Sequence, residues 1–143
     1  MINKCLEQNN LNLNAQAVRG WIYLSTMKED LQQKAMAFFE QVLNEQQGGN
    51  AKHLEALLGR AKILEKTKRY DECLATLSEI TVLYPNFQPV LTEKGKIHIQ
   101  NGEWDNAMEC VSQVIFKDRY NVEALRIYCF YLLAREYDQE MLQ

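Results

Sequence analysis

The chain has 143 residues, 47% of them hydrophobic and 24% charged, with a net charge of −3 and a pI near 5.4. That is long enough for one domain with a real core, and the acidic balance excludes broad nucleic-acid binding, which needs clustered positive charge. The longest apolar run, Ile127 to Ala134, is too short to span a bilayer. No charged-then-apolar signal segment opens the sequence, so secretion is not expected. Cys5, Cys73, Cys110 and Cys129 are scattered without a C-x-x-C pair. Reduced thiols in a cytoplasmic setting are expected rather than disulfides or zinc.

In chain order, residues 1–12 read as a partial helix, its first eight residues looking like the end of an earlier second helix. Residues 13–49 form an irregular repeat. Gly20 and Tyr23 precede the turn "STMKEDLQQ", and Ala35, Met36, Phe39, Val42 and Leu43 follow with one-face helical spacing. Gly48-Gly49 marks a turn. A short insertion, "NAKH", precedes a regular repeat over 54–87, with Leu57, Ala61 and Leu64 on one helix face and Cys73, Leu77 and Ile80 on the next. The repeat over 88–121 copies it with Leu91, Gly95 and His98, then Ala107, Val111 and Val114. A partial repeat over 122–143 supplies Leu125, Cys129 and Leu132.

The last two repeats are offset by 34 residues, so Trp104 falls on Tyr70 and Asp105 on Asp71. This is the tetratricopeptide (TPR) period, with a large residue at position 4, small residues at 8 and 20, an aromatic at 17 and proline at 32, here Pro85. Antiparallel helices approach closely only where positions 8 and 20 are small. Asp71 and Asp105, just before the second helices, are placed to cap backbone N–H groups and complement the helix dipole. The turn through "STMKEDLQQ" is three residues longer than the pattern requires, an insertion that loop-closure entropy tolerates. The fold predicted is an all-α TPR right-handed superhelix, with three repeats, flanking helices, and seven or eight helices in all.

No catalytic constellation can be assembled. His53 falls in a connecting loop and His98 on a packing face, and neither lies in a Ser/His/Asp or Cys/His pattern. Asp71-Glu72 is explained by the helix start. Cys73 and Cys129 take small-residue packing positions and read as small buried hydrophobes. "KTKR" at 66–69 is flanked by acids and reads as a solvated turn rather than a targeting patch. No cofactor or metal is expected, and a scaffold is favoured over a helical enzyme.

A helical repeat offers surface instead, and positions 2, 5, 9, 12 and 13 of each unit line its concave groove. These include Trp21 and Leu24, then Leu58, Lys62 and Lys66, then Thr92 and Lys96, then Arg126, Phe130 and Leu133. An apolar end, a basic middle and a second apolar patch would suit a peptide or helix acidic at its centre, as in a generic adaptor for a cytosolic partner. The alternative is that neighbouring turns of the same protein cover these residues. The Lys/Asn clamp by which co-chaperone TPRs hold a C-terminal carboxylate is absent, because those positions carry Leu58 and Lys62, then Thr92 and Lys96. The exposed apolar residues Phe130 and Leu133, or Ile2 and Leu6 at the other end, would let the isolated chain self-associate.

"RGWIYL", "KAMAFFEQVL", "ALLGRAKILEKTKRYDECLATLSEITVLYPNFQPVL", "EWDNAMECVSQVI" and "NVEALRIYCFYLLAREYD" together go beyond a generic TPR. They resemble consecutive segments of the large all-TPR subunit of the ciliary intraflagellar transport complex A. The resemblance spans roughly 15–138 and includes the long first turn. It implies a scaffold in cilia and at their base that contacts other complex A subunits in retrograde transport. It supplies no binding residues within this segment. The Asn-rich "QNNLNLN" and Tyr137-Asp138, where Gly-Asp is usual, depart from the family pattern.

Overall fold

The computed structural model describes residues 2–26, 28–45 and 53–141. Among them are seven helices and no strand: α1 (Ile2–Ser25), α2 (Glu29–Glu45), α3 (Leu54–Lys66), α4 (Tyr70–Leu83), α5 (Pro89–Gln100), α6 (Trp104–Lys117) and α7 (Val122–Met141). The architecture is an all-α solenoid of paired helices. The Gly48-Gly49 turn and "NAKH" up to its histidine lie outside the described residues.

Two compact units divide the chain, Met1–Leu83 and Tyr84–Gln143. In the first, α1 packs on α2, α2 on α3 and α3 on α4. Its core includes Leu13, Leu24, Ala35, Phe39, Val42, Ala56 and Ile63. The α3–α4 pair closes on the expected small positions: Cys73 is buried and its thiol donates to the Ala61 carbonyl at 3.2 Å. In the second unit α5 packs on α6 and α6 on α7. Gly95 faces Val111 and Ala107 there, and a Cβ built on it would sit 3.3 Å from Val111 Cγ2.

Three sequence expectations are corrected. The first concerns residues 1–12, which are no separate helix, because α1 runs unbroken from Ile2 to Ser25. Without Gly or Pro before Gly20, nothing interrupts its hydrogen-bond ladder. The second concerns the extra residues of "STMKEDLQQ", which lengthen a helix rather than a loop. The second helix α2 has 17 residues where α4 and α6 have 14, and Glu29 and Asp30 favour its N-terminus. The third concerns Cys129, expected as a small buried hydrophobe, which is exposed, as are Leu125 and Leu132 on the same face. The corresponding faces of α3 and α5 are covered by α4 and α6, whereas no described helix follows α7. This helix instead buries Ala124 and Ile127, and Ile127 Cδ1 lies 3.8 Å from a Cβ built on Gly95.

The 34-residue period extends to backbone conformation. Lys68, between α3 and α4, has φ 59°, and Gly102, between α5 and α6, has φ 79°. Both turns use one hydrogen-bond pattern. Lys68 N–H donates to Glu65 O and Arg69 N–H to Leu64 O, while Gly102 N–H donates to Ile99 O and Glu103 N–H to His98 O. This is the Schellman closure of a helix, which favours glycine at the left-handed residue. Lys68 holds that conformation against its own Cβ. Lys68→Gly should therefore raise stability by about 0.5–1 kcal/mol, the relief being partly offset by the freer unfolded chain. A fall in the urea midpoint would show that the side chain matters more than the φ angle.

Asp71 and Asp105 sit one residue inside α4 and α6 rather than at the cap, so they act through the helix dipole. The residue before α6, Glu103, makes no side-chain cap bond. Its carboxylate accepts from Asn106 Nδ2 at 2.9 Å, His98 Nδ1 at 2.8 Å and Asn101 Nδ2 at 2.6 Å. A carboxylate only accepts, so His98 Nδ1 carries the proton. The bonds from Asn106, His98 and Asn101 hold the Glu103 carboxyl below its ordinary pKa. Stability from this cluster is present above the unfolded-state value of about 4.3 and is lost as pH falls through the lower folded value. Thermal melts of Glu103→Gln between pH 6 and 3 should show a flatter acid limb than the parent. Parallel limbs would remove Glu103 from the account.

Candidate interaction surface

Each unit carries its own part of the expected surface. In the first, Trp21 projects from α1, 36% exposed, with its ring edge-on to Phe39 at 5.8 Å and 71°. Leu58 is half-buried on α3. Lys62, one turn on, pairs with Glu65 at 2.7 Å. Lys66 donates from Nζ to the Leu24 carbonyl at 3.3 Å. Leu24 itself is 3% exposed and belongs to the core, not to the groove as its repeat position suggested. Thr92, at a groove position of the second unit, is also buried and donates its hydroxyl to Pro89 O at 2.8 Å. Repeat position sets the direction of a side chain approximately, and a small or mid-sized residue at the helix edge is covered by its neighbours.

The second unit brings Lys96, Arg126 and Phe130 together. They line one open groove of about 290 Å³ between α5 and α7, with Ile99 and Glu123 beside them. Lys96 Nζ bridges Glu93 at 2.9 Å and Glu123 at 3.2 Å, which ties α5 to α7. Partial burial draws its ammonium down, but hydrogen bonds to Glu93 and Glu123 outweigh this and raise the pKa. The sequence pattern placed Lys96 in the groove but gave no sign of Glu123, which sits 27 residues away. Arg126 makes no ion pair among the described residues. Phe130 and Leu133 are 59% and 62% exposed.

Sequence reasoning also missed His53, which is the N-cap of α3. Its Nδ1 accepts from Ala56 N–H at 3.4 Å, and its Nε2 meets Asn14 Oδ1 at 2.6 Å. A capping role is usual for Ser, Thr, Asp or Asn, so composition gave no signal. Among the described residues no group of His, Cys, Asp and Glu could hold a metal ion. No described helix is long and apolar enough to cross a membrane. The Ile2 and Leu6 end lies outside the described side chains.

Paired helices, small residues at their crossings and a 34-residue period describe a helical repeat. Residues 1–108 match the tetratricopeptide repeat protein 21 N-terminal ARM repeat family. The chain belongs to that family. This tetratricopeptide repeat protein 21 family member is 36% identical over 123 residues to tetratricopeptide repeat protein 21B of Mus musculus, covering 86% of this chain and 9% of that protein. Against tetratricopeptide repeat protein 21B of Homo sapiens it is 35% identical over 123 residues, with the same coverage. Against tetratricopeptide repeat protein 21A of Homo sapiens it is 29% identical over 122 residues, covering 85% and 9%. The chain therefore spans about a tenth of the length of these curated relatives.

Among solved structures, a tetratricopeptide repeat protein from Parabacteroides merdae superposes with a TM-score of 0.76 at 18% identity, over 91% of this chain and 48% of that one. The assembly chaperone of RpL4 (Acl4) superposes with 0.55 at 13% identity, over 95% and 50%. At such identities the likeness is one of fold alone. ARM and tetratricopeptide repeats share the device of stacked helical pairs.

Proposed function

We propose that this chain is part of a non-enzymatic scaffold subunit of the ciliary intraflagellar transport complex A, working in retrograde transport and cilium assembly. The observation that carries the reading is the family match over residues 1–108. The repeat architecture supports it, because stacked helical pairs present extended surface without a catalytic cavity. Its partners on this reading are other complex A subunits, and its place is the cytoplasm, the ciliary base and the cilium. Trp21, Leu58 and Lys62 in the first unit, and Lys96, Arg126 and Phe130 in the second, are the partner-binding residues we put forward.

Affinity capture of the full-length protein from ciliated cells tests this. Other complex A subunits should be recovered in stoichiometric amounts. Recovery of chaperones or phosphatase subunits without them would replace the reading with that of a generic peptide-binding adaptor.

A further inference from the structure

The turn from α6 into α7 carries the two most exposed large apolar side chains among the described residues. Phe116 is 90% and Tyr120 87% exposed. Neither ring has left water, so neither contributes burial energy to this fold. The openness belongs to the repeat and not to its place in the chain. One period earlier, Val82 and Asn86 hold the same two positions, and both are exposed although α5 and α6 follow them. Both repeats leave these positions in water, and only the second fills them with rings.

The turn is tied at every step. Asp118 N–H closes α6 by donating to Val114 O at 2.8 Å, and Asn121 N–H reaches Asp118 O at 3.3 Å. Asp118 Oδ1 accepts from Tyr120 N–H at 3.1 Å, and Asn121 Oδ1 accepts from Ala124 N–H in the first turn of α7 at 3.0 Å. A surface fixed before contact gives up little conformational freedom on binding.

Between the rings stand Lys117, Asp118 and Arg119. Neither cation makes an ion pair among the described residues, and the carboxylate is held by the Tyr120 amide. Two cations against one carboxylate leave the tip with one net positive charge. The next carboxylate along, Glu123, bridges to Lys96 in the groove. None of residues 116–122 lines that groove.

We propose that this tip is a partner-binding knob, whose rings at Phe116 and Tyr120 enter an apolar pocket of another protein with carboxylates on its rim, facing Lys117 and Arg119. The proposal rests on the scaffold reading, on which that partner is another complex A subunit, and it adds a contact surface separate from the groove. Because the rings protrude, the partner supplies the cavity. Aromatic side chains desolvated in a pocket, with charged groups around them, are the usual make-up of an energetic hot spot. The rim charges steer approach and orientation more than they add affinity.

The test uses the full-length protein in ciliated cells, with the photo-crosslinking residue p-benzoylphenylalanine in place of Phe116. Irradiation should join it to another complex A subunit. Arg119→Glu in the same chain should cut that adduct roughly five- to tenfold, and Arg119→Lys should keep most of it. Phe116→Glu combined with Tyr120→Ser should lose the same subunit from affinity capture. The 143-residue chain with both changes should keep its urea midpoint, since neither ring is buried. Adducts with a second copy of the protein, or with lipid, would give the knob to another occupant and overturn the proposal. Irradiation that yields no protein adduct would overturn it too, as would an adduct indifferent to Arg119→Glu. Complex A recovered in full by the Phe116→Glu, Tyr120→Ser protein would remove this inference alone and leave the scaffold reading standing. If the unchanged protein recovers no complex A subunit, both fall.

Discussion

Phe39→Ala should cost about 3–5 kcal/mol, at the upper end of what a core truncation removes. The ring is fully buried in the first unit and lies between two glycines, Gly20 on α1 and Gly59 on α3. A Cβ built on Gly20 would come within 2.7 Å of Phe39 Cε1, and one on Gly59 within 2.5 Å of Cε1 and Cε2. The cost depends on how far the surroundings can collapse into the space left. Two glycines offer no side chains to move into it, and Trp21, edge-on to the ring, would lose its aromatic partner. Since a domain of this size is stable by only about 5–15 kcal/mol, the variant should be marginally folded at room temperature. Urea denaturation followed by circular dichroism measures the loss. A change below about 1 kcal/mol would mean that the ring is not the keystone of α1, α2 and α3.

Gly59→Ala should destabilise the chain by about 1–3 kcal/mol through overpacking, although alanine is the better helix former by about 1 kcal/mol. The two effects oppose, and the geometry decides between them. The added methyl would lie inside the van der Waals radius of the Phe39 ring, whose Cε1–Cζ end also leaves no room for a Cβ on Gly20, so the ring has little space to yield. Gly95→Ala supplies the contrast. Its Cβ would meet Val111 Cγ2 at 3.3 Å, a contact that a small shift relieves, so propensity and crowding should nearly cancel. Phe39→Leu should rescue part of the Gly59→Ala loss, giving a coupling of about 0.5–3 kcal/mol in the double-mutant cycle. Additive losses, or a Gly59→Ala chain more stable than its parent, would count against the sandwich.

Much of this was legible in the sequence because helical packing is periodic. Leu57, Ala61 and Leu64 on one helix, and Cys73, Leu77 and Ile80 on the next, are buried as their spacing requires. The small residues Ala61 and Cys73 mark the crossing where they touch. The expected burial failed at Cys129, since a pattern names a face and not its cover. The extra residues of "STMKEDLQQ" were visible as three too many, yet their placement in α2 was not. Glutamate, aspartate and leucine extend a helix as readily as they fill a polar turn.

By itself, the sequence determined the helical class, the period, the within-pair packing faces and the family, since all of these rest on local spacing that survives in one dimension. Only the tertiary structure decided what lies between repeats. It set Phe39 into Gly20 and Gly59, the latter two positions short of the small residue that the repeat pattern names. It bridged Lys96 to Glu123, made His53 a cap and put Lys68 into a left-handed turn without a glycine to announce it. In each case the partner is far away in sequence or the residue type is unusual for its task. The energy comes from three-dimensional fit, which a periodic pattern does not encode.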